Sequence, residues 1–197
     1  MQLRALPSVL FTAAALVLAA SPSARAEGFE YRVLATNKTS TMEKEINEVA
    51  KAGFRFHSVM GGETSFGGSQ AVVVMYKNAG EQLSGPPRIY RLLATSKTST
   101  MQKEMQQLGD EGFEYKGQTV FASTFGGQEV VVILELDSNN PGKRVEYMLL
   151  ATKKTSTMED ELLEAGQVGF ELKDVTVSKT AFGGTELVCI LRRDGSQ

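Results

Sequence analysis

Five residues, Lys-Thr-Ser-Thr-Met, occur three times in this chain, at 38–42, 97–101 and 154–158. The intervals between their lysines are 59 and 57 residues, and much else keeps step with them. Tyr31, Tyr90 and Tyr147 precede each lysine by 7 positions, Gly53, Gly112 and Gly169 follow it by 15, and a Phe-Gly-Gly begins 28 positions after it. Self-similarity at a fixed period means that each copy is one supersecondary unit, unable to bury its apolar face alone and stacked on its neighbours. Whatever one copy folds into, the chain must fold into three times.

Each copy opens on a short apolar run, Tyr31 to Thr36, Tyr90 to Thr95 or Tyr147 to Thr152, which reads as a strand. A helix follows. Met42, Ile46, Val49 and Ala50 recur at helical spacing, as do Met101, Met105 and Leu108, and Met158, Leu162 and Ala165. Ser40 with Glu43, Ser99 with Gln102 and Ser156 with Glu159 have the spacing of a capping box, in which serine caps the helix and the residue three on reaches back. Glu43, Glu45 and Glu48, with Lys44 and Lys51, read as a solvated outer face. The helix is expected to stop at the glycine, the usual residue where a chain turns left-handed after a helix. Two further strands follow as a hairpin, with a two-residue turn expected at Gly67-Gly68, Gly126-Gly127 and Gly183-Gly184. The last strand is almost continuously apolar, Ala71 to Met75 and Val130 to Leu134, the mark of a strand covered on both faces.

One helix covers one face of a sheet, and a unit of about 50 residues is marginal alone. The expected fold is therefore α+β: three β-α-β-β repeats, each a three-stranded sheet with one helix, packed as a pseudo-threefold body. The repeats span 27–79, 86–137 and 143–194, with Gly-, Pro-, Asn- and Ser-rich linkers between them.

Tyr-Arg-Val-Leu, the Glu-Ile-Asn-Glu-Val-Ala-Lys-Ala-Gly-Phe run and an apolar final strand together resemble a small bacterial domain family of unknown function. Gly112-Phe113-Glu114 and Gly169-Phe170-Glu171-Leu172 match that family's Gly-Trp-Glu-Leu core with phenylalanine in place of tryptophan. The resemblance covers all three repeats and implies a β-α-β-β fold with no known activity. The Lys-Thr-Ser-Thr and Phe-Gly-Gly elements are additions to the family pattern.

Residues 1–26 read as an export signal: Arg4, an apolar run from Val9 to Ala20 too short to span a bilayer, and Ala24-Arg25-Ala26 as a cleavage site. The expected location is periplasmic or secreted, without stable membrane insertion after cleavage. Removing the signal takes away two arginines and no acid, leaving 19 basic and 23 acidic residues. Such a balance gives no electrostatic case for nucleic acid. Cys189 is the only cysteine and reads as a small buried hydrophobe, its equivalents being Val73 and Val132.

Candidate site residues are few. Lys38, Thr39 and Thr41, with Lys97, Thr98 and Thr100, and Lys154, Thr155 and Thr157, lie at three helix starts, where free N–H groups and the helix dipole favour an anion. Phe66, Phe125 and Phe182 could form an interaction surface at the hairpin tips. His57 is the only histidine, replaced by Lys116 and Lys173 in the other repeats, and is a poor metal or catalytic candidate. No catalytic set, metal site or cofactor is expected. Three readings remain: an exported, non-enzymatic binding or protein-interaction module whose partner is a protein or envelope component; a binder of small anions or acidic glycans; and a carboxylate-dependent hydrolase of an envelope polymer.

Overall fold

The computed structural model describes residues 28–64, 68–122, 128–139, 142–179 and 185–195. The expected signal peptide, and Phe66, Phe125 and Phe182, lie outside the described residues. The elements run β1 (Phe29–Thr36), α1 (Thr39–Ala50), β2 (Arg55–Thr64), β3 (Gly68–Asn78), β4 (Ile89–Thr95), α2 (Thr98–Asp110), β5 (Glu114–Ala122), β6 (Gln128–Leu136), β7 (Val145–Thr152), α3 (Thr155–Gln167), β8 (Glu171–Lys179) and β9 (Thr185–Asp194). This is an α+β chain of three β-α-β-β units. Each unit has one antiparallel sheet with its last strand in the middle, in the orders β1-β3-β2, β4-β6-β5 and β7-β9-β8.

Sequence and structure agree on why each helix lies where it does. Met42, Ile46 and Ala50 fall on one face of α1 and are buried against Ala71, Val73 and Met75 of β3. Met101 and Met105 of α2 meet Val130, Val132 and Leu134 in the same way. The glycines that end the helices sit at φ +86° (Gly53), +89° (Gly112) and +85° (Gly169), where a side chain would be strained.

The expected helix cap is not what forms. The helices begin one residue before the serines, at Thr39, Thr98 and Thr155, and the capping positions are Lys38, Lys97 and Lys154, with no side-chain cap. The entering loop is tied instead by the threonine that ends each first strand. Thr36 and Thr95 accept the N–H groups of Lys38 and Lys97 at 3.1 Å, and Thr152 accepts that of Lys154 at 3.4 Å. Glu43 and Gln102, free of the capping box, reach outward to the following unit. The hairpin register also differs from a two-residue turn at the glycine pair. Thr64 faces Gly68, Ala122 faces Gln128 and Lys179 faces Thr185, each three residues away from the register such a turn would set. A shift at the start of each hairpin, between Phe56 and Ser58, Tyr115 and Gly117, and Leu172 and Asp174, leaves His57, Lys116 and Lys173 as bulge residues.

The units stack in one direction. α1 packs on β4 and α2 on β7, while β2 packs on β5 and β5 on β8. The first core therefore includes Tyr90 and Ile133 of the second unit, and the second core includes Val145, Tyr147 and Ile190 of the third. Backbones approach closely at these seams. A Cβ on Gly61 would lie 2.1 Å from the Val120 carbonyl oxygen, and one on Gly109 would lie 2.4 Å from that of Val145. The covering expected for the last strands is present for β6, buried from Val130 to Glu135, and for β9, buried from Val188 to Leu191. It fails for β3, where only alternate residues, Ala71, Val73 and Met75, are buried. The reason is positional, since no other unit lies across that face among the described residues.

Candidate interaction site

Each seam is built by three side chains at equivalent repeat positions. The first is the tyrosine that opens the unit. Tyr90 is fully buried at the seam, where its hydroxyl accepts the Phe56 N–H of the preceding unit at 3.0 Å and donates to Glu135 of its own unit at 2.5 Å. Tyr147 accepts the Tyr115 N–H at 2.7 Å and donates to the Phe113 carbonyl at 2.9 Å. The second is a helix amide that brackets the edge strand. Asn47 accepts the Tyr90 N–H and donates to the Tyr90 carbonyl, both at 2.9 Å. Gln106 accepts the Tyr147 N–H at 2.9 Å and donates to the Val145 carbonyl at 3.2 Å. The third is the supposed capping-box residue. Glu43 accepts the Leu92 N–H at 2.9 Å and pairs with Arg91 at 3.3 Å, and Gln102 accepts the Leu149 N–H at 2.7 Å. An edge strand carries unpaired N–H and C=O groups that invite another chain, and these side chains occupy them on β4 and β7.

The first unit presents the same positions without a neighbouring unit among the described residues. Tyr31, equivalent to Tyr90 and Tyr147, is 52 % exposed. Phe29 and Val33 on the same strand are 58 % and 67 % exposed. The register puts Tyr31 opposite Tyr76 and Val33 opposite Val74, on the side of the sheet away from α1. His57, on the bulge of β2, joins them. Its ring lies 6.4 Å from that of Tyr31 and 5.7 Å from that of Tyr76, and Tyr76 is 6.0 Å from Phe29. Edge-to-face geometry at such distances is the favoured arrangement of aromatic rings. In the second unit the equivalent positions hold Arg88, Lys116 and Glu135, and both cations pair with the buried Glu135 carboxylate, at 2.5 Å and 3.1 Å. An aromatic face at one end thus stands where a closed charged network lies inside.

Comparison with family models, curated proteins and solved structures finds no match.

The Lys-Thr-Ser-Thr residues stay at three separate helix starts. Lys38, Lys97 and Lys154 are all exposed; Thr39, Thr41, Thr98 and Thr100 are half-buried, and Thr155 and Thr157 are exposed. The groove beside Thr39 and Ser40 is lined by the carboxylates of Glu43 and Glu104, which repel an anion there. A cleft of about 390 Å³ between the first two units is lined by Arg55, Glu81, Arg88 and Asp137. Its charges are matched, Arg55 with Glu81 at 2.7 Å and Arg88 with Asp137 at 3.0 Å. Among the described residues no group of His, Cys, Asp and Glu is placed to hold a metal ion. Cys189 is buried beside Met158, and burial, followed by nearby Glu161, raises its thiol pKa, which suits a packing role. No helix among the described residues is long and apolar enough to cross a membrane.

Proposed function

We propose that the protein is an exported, non-catalytic interaction module that engages a macromolecular partner through the open face of its first unit. The observation that carries this reading is the contrast between equivalent positions: Tyr31 is 52 % exposed, whereas Tyr90 is 0 % and Tyr147 3 % exposed. Exposed aromatic side chains with one apolar body and one polar end are the groups most enriched at binding hot spots. Tyr31 and His57 are exposed and have that character, and exposed Phe29 and half-buried Tyr76 extend the face, on a sheet packed against its own helix. Export belongs to the same proposal and is supported by the pattern of residues 1–26. The test is a pull-down from an envelope fraction with the unaltered protein and with Phe29→Ala/Tyr31→Ala. Both residues are exposed, so the variant should melt unchanged and lose its captured partner. Capture that is equally strong with the variant would place the binding elsewhere and defeat the proposal.

A further inference from the structure

The two ends of the stack are complementary to each other. Among the described residues all large exposed apolar side chains except Leu83 and Ile89 fall at these ends. Phe29, Tyr31, Val33 and Met60 lie on the open face of the first unit. Leu163 and Val168, with Leu172, Val175 and Val177 of β8, lie on the third. The third-unit residues hold the positions by which each earlier unit receives its successor. Leu163 stands where Asn47 and Gln106 stand, and Leu172 where Phe56 and Tyr115 offer their N–H to a tyrosine hydroxyl.

Charge repeats the pattern. At the first seam Arg91 pairs with Glu43 at 3.3 Å. At the second, the same two positions hold an uncharged pair, Met148 and Gln102. The two positions left over are Arg32 on the edge strand β1, opposite Met75 and with its guanidinium 5.4 Å from the Phe54 ring centroid, and Glu159 at the start of α3, both exposed and opposite in charge. The internal seams thus set charged with charged or uncharged with uncharged, and the two ends carry the charged combination of the first seam.

We infer that the open face of the first unit docks on the α3–β8 end of a second copy of this chain, continuing the internal seam between molecules. Tyr31 then takes the place of Tyr90 and Tyr147, its hydroxyl accepting the Leu172 N–H, and Glu159 receives Arg32 and the Val33 N–H. Leu163 gives the seam a drier centre than Asn47 or Gln106 does, facing Phe29 and Tyr31 rather than bracketing the strand. Such a contact is head-to-tail, so it builds a ring where the rotation closes and a filament where it does not. The inference rests on the interaction-module reading and names the partner as the chain itself.

Sedimentation velocity over a concentration series up to about 100 µM, a range that captures micromolar self-association, tests it. The expected result is mass growing with concentration. Tyr31→Ala, which removes a central aromatic anchor, should weaken association about 10-fold or more. Arg32→Glu should weaken it about 10-fold by setting like charges together, and adding Glu159→Arg in the same chain should restore it to within about 3-fold. Circular dichroism of the variants at low concentration should match the parent, because all three residues are exposed, and melting should match within a few degrees, Arg32→Glu losing only its stacking on Phe54. A parent that stays monomeric throughout overturns the inference, as does association that ignores Tyr31→Ala and the charge reversal. If the chain is monomeric yet captures another protein through Phe29 and Tyr31, self-docking is wrong and the interaction module stands. If neither occurs, both are wrong.

Discussion

Tyr147→Phe removes one oxygen atom and keeps the ring. Its hydroxyl joins two backbone groups of the preceding unit, accepting from Tyr115 at 2.7 Å and donating to the Phe113 carbonyl at 2.9 Å. Tyr147 is 3 % exposed, so water has little access to the gap left behind. Each bond contributes about 1 kcal/mol net, and a buried group left unpaired costs about 1–3 kcal/mol. The expected loss is about 2–4 kcal/mol. For a domain of this size about 1 kcal/mol moves the melting temperature by about 2–4 °C, which gives a fall of about 5–15 °C. Urea denaturation followed by circular dichroism measures the same quantity independently. The chain supplies its own control. Tyr31 holds the same repeat position, is 52 % exposed and makes no comparable seam, so Tyr31→Phe at low concentration should stay within about 0.5 kcal/mol of the parent. Equal effects from the two variants would refute the idea that context, and not the residue, makes the tyrosine a plug.

Glycine should behave oppositely at equivalent helix positions: Gly109→Ala drives a Cβ to 2.4 Å from the Val145 carbonyl oxygen and should cost at least about 1–3 kcal/mol in urea titration, whereas Gly166→Ala meets nothing within 4 Å and should stabilise by about 0.5–1 kcal/mol. Gln118 has both side-chain polar atoms buried without a partner, and its equivalents are Val59 and Val175; Gln118→Met, close to it in volume, should raise stability by about 1–2 kcal/mol, and a loss would show that the amide is satisfied in solution. Burial raises the pKa of Tyr90, Tyr115 and Tyr147, with hydrogen-bonded Glu135 and Asp174 adding to the effect at the first two. The folded state therefore holds protons that the unfolded state releases above about pH 10, the ordinary tyrosine value, and stability should be full below that pH and fall above it, by up to about 1.4 kcal/mol per pH unit for each of the three. Tyrosine absorbance near 295 nm and ellipticity should then change together on alkaline titration, and three tyrosines ionising well before unfolding would contradict their burial.

The sequence made the unit legible because its signals are local. Methionines at helical spacing, the glycine after each helix and the valine-rich last strand each refer to a few neighbouring residues, and the structure keeps them. The seams were not legible, for a specific reason. Ser40 and Glu43 have the spacing of a capping box, yet the same Glu43 can turn outward to the Leu92 N–H, and nothing within twenty residues distinguishes the two. The tyrosines showed only as markers of the repeat; a tyrosine at the same place in every unit was a signal that a partner waited for its hydroxyl. The aromatic face could have been found by asking where the first repeat departs from the others. His57 in place of lysine and Tyr76 in place of Glu135 and Arg192 are such departures, and their shared face follows from strand register alone.

The borrowing of Tyr90 and Ile133 by the first core has a consequence for how the chain is made. A ribosome delivers the first unit before the second, and a translocation channel that takes the N-terminus first does the same. Yet α1 and β3 find their last two core neighbours only after β4 and β6 have emerged, more than fifty residues after β3 ends. Each of the first two units is finished by the one behind it, so their completion lags synthesis by one unit along the chain. Until then Met42, Ile46 and Met75 sit in an unsealed core, and the emerging chain is most open to holdase chaperones and proteases in that interval.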